Sequence, residues 1–235
     1  EVARADFHEW DITEVYSSAD GSVQFIKMTA QFGSQQFFHT FGGNPILRST
    51  NSLGTTTFSI SSDLPGDTSG KTCILGTANL ATIPGGVVPD FIIPANFVRL
   101  PTAGSSASVI YDANSFAPAV FTTLPTDGDS SLVRSGANMV LPSTNSPKNF
   151  NNESNSIVPV KIKSINHSGN DFLLSFATAT GTNGTAGPNY AVEYNNSLTS
   201  TGWTNLTNVA GIGAITNVTD VSPLDFQRFY RLRVP

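Results

Sequence analysis

One cysteine, two methionines and charged side chains at only 12% of 235 positions put several classes of protein out of reach. A lone thiol, Cys73, cannot close an internal disulfide, so a disulfide-stapled secreted module is argued against. It lies in the apolar run KTCILG and is expected to be a small buried hydrophobe. Twelve Lys and Arg are scattered among seventeen Asp and Glu and build no basic stripe, which argues against nucleic-acid binding. No apolar run nears the ~20 residues that span a bilayer as a helix, so no membrane span is expected. His8, His39 and His167 lie far apart and in no zinc-binding spacing. No G-x-S-x-G elbow supports a serine nucleophile. The stretch GDTSGKT (66–72) imitates a phosphate loop, but only three residues separate its glycines where four are needed. A strand-like CILG also follows it where a helix would have to cradle the phosphates.

What the chain does contain is Thr, Val, Ile and Phe, which suit pleated half-buried strands, and Gly, Asn, Pro and Ser, which suit turns. Strand-like runs recur: WDITEVY, SVQFIKMTA, QQFFHTF, TTTFSIS, KTCILG, ASVIYD, AVFTTL and NMVLP. Turn signals separate them, among them SSADGS, GGNP, DLPGD, IPGG and PTDGDS. One short helix is expected over ANLATI, with Thr77 capping it and Pro84-Gly85-Gly86 ending it. Residues 142–157, PSTNSPKNFNNESNSI, show no apolar periodicity and read as a polar linker. Beyond it the alternation restarts. Phe172, Leu174 and Phe176 share a face, as do Tyr190, Val192 and Tyr194, and then Tyr230, Leu232 and Val234. The expected fold is all-β: two Ig-like or fibronectin-III-like sandwiches, residues 1–141 and 158–235, joined by the linker.

The C-terminal pattern Y-x-V-E-Y, an L-T…W-T-x-L hairpin, a Gly-rich turn, V-T-D and the closing QRFYRLRVP resemble a terminal β-sandwich module of large exported bacterial proteins. The first sixty residues, with ITEV and FIKM, resemble bacterial lamin-tail-like Ig domains, in which Lys27 stands where an acid is usual. Both resemblances imply scaffolds of cell-surface and wall-associated proteins, and neither implies an activity.

Candidate sites are few. Glu9 and Asp11 sit on one face of the first strand, about two 3.3 Å rises apart, which is within the range of a glycosidase pair. Glu14 falls on the other, more apolar face with Trp10, Ile12 and Tyr16, and Lys27 on the partner strand is placed to neutralise it. The structural hairpin is the preferred reading, so no catalytic residue is assigned. Asp127 and Asp129, with nearby hydroxyls, offer oxygen ligands for Ca²⁺ in a tight turn, against the plainer reading of an Asx turn. No other cofactor is expected. Trp203, Tyr190 and Trp10 are the aromatics that would form a polysaccharide-binding platform.

The expected function is a non-enzymatic, exported structural or adhesive protein at the cell surface. It is expected to be a homo-oligomer or polymer, and residues 1–7 read either as a frayed leader or as a strand donated to a neighbouring copy. A carbohydrate- or wall-binding module is the alternative. The chain begins with Glu1 rather than Met, as expected of a mature chain whose signal peptide has been removed.

Overall fold

The computed structural model describes residues 9–40, 43–112, 116–199, 202–221, 223 and 227–234. Residues 1–7, for which a leader and a donated strand are the two readings, lie outside them. The regular structure of the described chain is almost entirely β-strand, and no helix in it is long and apolar enough to cross a membrane.

The N-terminal half contains β1 (Trp10–Ser17), β2 (Gln24–Ala30), β3 (Ile46–Asn51), β4 (Gly54–Ser59), β5 (Thr72–Gly76), β6 (Phe91–Ile92), β7 (Ala107–Tyr111), β8 (Ala119–Phe121), β9 (Ser130–Ser135) and β10 (Asn138–Thr144). They form a six-stranded sheet, β10-β9-β1-β2-β5-β6, and a four-stranded sheet, β4-β3-β7-β8. Among the described residues these strands pair antiparallel, except β5 with β6, which run parallel. The first hairpin closes where Asp20 Oδ1 accepts from the Ser22 amide and from the hydroxyls of Ser18 and Ser22. These bonds, the Ser18 hydroxyl foremost, hold the Asp20 carboxyl at about 2.

A bulge changes the parity expected for β1. The register against β2 shifts between Ile12 and Glu14, and an extra residue there exchanges the two faces. Trp10, Ile12 and Val15 consequently enter the core between the sheets, while Tyr16 turns to the opposite face and stacks on Phe25 at 5.2 Å. Glu14 goes with Tyr16 rather than with Trp10 and Ile12, as simple alternation had it.

That opposite face is buried as well. Val23, Phe25 and Ile74 project there beneath a non-sheet layer built from Leu80, Val87 and Ile157. The expected helix is a short 3-10 turn, Ala78–Thr82, and Thr77 makes no side-chain cap to it. The Thr77 hydroxyl accepts instead from the Gln24 amide, tying the turn to β2. The run QQFFHTF forms no strand over its described residues. Phe38 turns inward instead, stacking on Trp10 at 5.6 Å and meeting Phe91 edge-on at 5.5 Å.

The polar segment 142–157 is not a free linker. Pro142 to Thr144 belong to β10, Phe150 enters the inter-sheet core and Ile157 enters the outer one. Asparagine side chains do the tethering. Buried Asn145 donates to the carbonyls of Asp129 and Ile157 and accepts from the Ile157 amide at 2.6 Å. Buried Asn149 donates to the Val88 carbonyl and to Glu153 Oε2. Such bonds satisfy irregular backbone without any apolar period. Gly85, at φ +78°, lets the second layer close: a Cβ there would fall 1.8 Å from the Ser156 carbonyl oxygen.

The C-terminal half contains β11 (Ile162–Ser168), β12 (Asp171–Ala177), β13 (Asn189–Asn195), β14 (Thr204–Ala210), β15 (Ile215–Asp220) and β16 (Phe229–Arg233). Two three-stranded sheets, β11-β12-β15 and β14-β13-β16, enclose a separate core of Leu174, Phe176, Tyr190, Val192 and Val218. Tyr230, Leu232 and Val234 pack against that core, as their alternation predicts. Hydrogen bonds join the two halves. Lys161 Nζ donates to the Asp127 carbonyl at 2.8 Å, Asn155 Nδ2 to the Thr180 carbonyl at 2.9 Å, and the Ser154 amide to Asn183 Oδ1 at 3.1 Å.

Candidate functional site

The acidic side chains of the first hairpin are held by partners from across the N-terminal sandwich. Glu14 is completely buried and ion-paired with Lys27. Its carboxylate also accepts from Ser131 Oγ at 2.6 Å, the Ser146 amide at 2.7 Å and Ser146 Oγ at 2.7 Å. Lys27 in turn donates to the Ser146 carbonyl at 2.9 Å. Sequence reasoning paired Glu14 with Lys27, and the register places them directly opposite. The partners Ser131 and Ser146 were not visible, because they lie more than a hundred residues away. Asp11 pairs with Arg134 at 2.9 Å. Burial raises the Asp11 carboxyl above its usual range, outweighing the attraction of Arg134. Glu9 lies just before β1, where its amide donates to Gln35 Oε1 at 2.8 Å.

Asp127 and Asp129 lie in the turn before β9. Asp127 Oδ1 accepts from the amides of Asp129 and Ser130, and Oδ2 accepts from Ser130 Oγ. Burial works against the Asp127 charge, but the Ser130 bonds prevail and hold the carboxyl below its usual range. Asp129 Oδ2 lies 3.6 Å from Lys161 and 3.7 Å from Lys163. This is an Asx turn with its carboxylates turned toward amides and ammonium groups. Among the described residues no group of three His, Cys, Asp or Glu is placed to hold a metal ion.

Two of the three aromatics expected on a glycan platform are core residues. Trp10 is fully buried, and its Nε1 donates to the Gln35 carbonyl at 3.0 Å. Tyr190 is fully buried, and its hydroxyl accepts from the Ala179 amide at 2.9 Å. Rings in these positions cannot stack on a sugar. Trp203 remains near the surface, with the Arg231 guanidinium 4.3 Å from its ring centre.

That arginine belongs to a cluster that sequence reasoning did not assemble. On the outer face of the β14-β13-β16 sheet, Glu193 accepts from Arg231 Nε at 2.7 Å and from Arg233 Nη2 at 3.1 Å. The Arg231 bond above all keeps the Glu193 carboxyl below its usual range. At one end of the sheet, Arg228 lies over the Tyr194 ring at 4.0 Å and pairs with Asp220, which also accepts from the Tyr230 hydroxyl at 2.7 Å. The alternation of Arg231 and Arg233 with core residues was the available signal. Their shared partner, 38 and 40 positions earlier, was not.

Two small clefts, of about 200 and 170 Å³, border the junction of the halves on either side of Pro84. The first is lined by Asn155, Thr180 and Val234, the second by Tyr16, Ile157 and Pro159. Both are smaller than the ~300–1,000 Å³ usual for small-molecule sites. The Cys73 thiol is buried in the inter-sheet core, and burial pushes its pKa well up, leaving it unreactive.

One carboxyl is poised to titrate. Asp90 accepts from the Ile74 amide at 2.7 Å and the Phe150 amide at 3.0 Å, pinning the 149–153 segment to β5. Burial nonetheless raises its pKa to about 6. The native state therefore binds this proton more tightly than the unfolded chain does. The contribution of Asp90 to stability is fully present below about pH 4 and is lost as the pH rises through about 6. Denaturant titrations at half-unit pH steps should show this decline, and Asp90→Asn should remove it. An unchanged pH profile in the variant would refute the assignment.

No protein-family model matches this chain, and no curated protein or solved structure shows significant similarity to it.

Proposed function

We propose that this chain is a non-enzymatic structural subunit that assembles with copies of itself, exported and working at the cell surface. The observation that carries this reading is the distribution of its strand edges. In the C-terminal half β11, β15, β14 and β16 each pair on one side only among the described residues. Free edges invite pairing with another chain unless they are covered, twisted or charged. The hydrogen-bonded junction supports the same reading, since it makes the two sandwiches one building block. So does the low charge, which suits close packing between copies.

The test is the size of the untagged protein. Light scattering and negative-stain electron microscopy over a rising concentration series should show growth into fibres or sheets. A monodisperse monomer at the highest concentration would overturn the proposal.

A further inference from the structure

Arg231 and Arg233 project from the outer face of the β14-β13-β16 sheet, and both are held in place there. The register sets Glu193 on β13 directly between Asn205 on β14 and Arg231 on β16, and Ala191 directly between Asn208 and Arg233. Directly opposed residues share a face, so two guanidiniums, two amides and one carboxylate lie side by side. Arg231 is fixed from two directions: its Nε donates to Glu193 Oε2 at 2.7 Å, and its guanidinium carbon lies over the Trp203 ring, 4.3 Å from the centre. Arg233 reaches the same carboxylate through Nε at 3.3 Å and Nη2 at 3.1 Å. The Glu193 side chain is only 8% exposed, whereas Arg231 and Arg233 remain 43% and 52% exposed.

This arrangement leaves donors over. Among the described residues, both terminal nitrogens of Arg231 and Nη1 of Arg233 have no protein acceptor. One carboxylate also leaves one of the two positive charges unbalanced. Two guanidiniums drawn to a single acceptor repel each other, and a second anionic group seated between them would relieve that repulsion. Glu193 and Trp203 have already ordered the two long side chains, which lowers the entropy lost on binding. The wider charge distribution favours the same ligand. The chain carries −5 overall, but residues 158–235 hold five Lys and Arg against four Asp and Glu.

We propose that this face binds an acidic polysaccharide, with a uronate carboxylate bridging Arg231 and Arg233 and neighbouring sugar hydroxyls meeting Asn205 and Asn208. The inference goes beyond the self-assembly reading and does not depend on it. Asn205 and Asn208 are exposed, and Asn205 Nδ2 donates to Asn208 Oδ1 at 3.3 Å, which keeps the two amides together. An amide both donates and accepts, as a sugar hydroxyl does. A protein partner or a membrane surface would call for large apolar side chains at the centre of the contact. Among the described residues, none of the exposed large apolar side chains lies on β13, β14 or β16. Two arginines are too few for the phosphate-tracking stripe of a nucleic-acid site. Trp203 serves Arg231 rather than the sugar, since its ring sets the position of the guanidinium.

The test is titration calorimetry of the full chain with a short oligogalacturonate, together with affinity electrophoresis through gels holding polygalacturonate, polyglutamate or neutral dextran. Polygalacturonate should retard the unaltered chain, dextran should not, and added salt should weaken the retardation. Arg231→Gln with Arg233→Gln should weaken oligogalacturonate binding by roughly tenfold or more, as expected when charge-assisted hydrogen bonds are lost. Arg231→Lys with Arg233→Lys keeps both charges and their attraction to Glu193 but not the planar forks, and should weaken binding by less. Arg48→Gln with Lys163→Gln removes as many charges elsewhere and should leave binding unchanged. An equal loss in that control would reduce the effect to net charge and overturn the site. Retardation by polyglutamate as strong as that by polygalacturonate would assign the face to an acidic protein partner and overturn the polysaccharide. An unaltered chain that polygalacturonate does not retard would overturn the proposal outright. None of these outcomes bears on fibre growth, so the self-assembly reading stands or falls separately.

Discussion

Replacing Glu14 by alanine is expected to destabilise the protein by about 3–5 kcal/mol, because it breaks a buried ion pair from one side. The carboxylate is fully buried and meets four donors, on Lys27, Ser131 and Ser146. Removing it leaves the half-buried Lys27 ammonium without its counter-charge and leaves the Ser146 amide and both hydroxyls without their acceptor. For a chain of this length the melting temperature should fall by roughly 10 °C. Lys27→Met should cost less, since Glu14 would retain the donors on Ser131 and Ser146. Glu14→Leu combined with Lys27→Met should recover part of the loss of Glu14→Ala, because no unpaired charge remains. Denaturant unfolding of the three variants measures this. A loss below about 1 kcal/mol for Glu14→Ala would mean that water reaches the site and that the carboxylate is not the tie between the first hairpin and the 145–146 segment.

Trp10→Ala is expected to cost a similar amount, about 3–5 kcal/mol, by a different mechanism. The ring packs against Phe38 between the two N-terminal sheets, and its Nε1–H satisfies the Gln35 carbonyl. Truncation leaves a large cavity and an unpaired carbonyl together. The same variant separates a core role from a glycan platform, since a surface tryptophan can be removed within about 0.5 kcal/mol. Loss of polysaccharide retention with unchanged stability would contradict the burial described here. Trp10 and Glu14 sit on one strand within a few residues of each other, so their effects are not expected to add.

Much of the fold was legible. The alternation in DFLLSFA, NYAVEYN and FYRLR places their side chains on the faces they occupy. The Lys27–Glu14 pairing also followed from the first hairpin. These features depend on residues close in sequence, where a period of two decides which side chain faces which way. Less was legible where the chain leaves that period. The bulge near Thr13 carries no mark in composition, yet it exchanges the faces of every residue after it. The 142–157 segment reads as solvent-exposed because it is polar, but Asn145 and Asn149 bury their amides by capping backbone groups.

Composition and alternation by themselves determined that this is an all-β protein of sandwich type with Cys73 inside, because apolar side chains at every second position must be covered by another layer. Tertiary structure alone decided which aromatics lie in the core and which distant serines receive Glu14. Those outcomes depend on contacts between residues up to 132 positions apart. No local pattern records them.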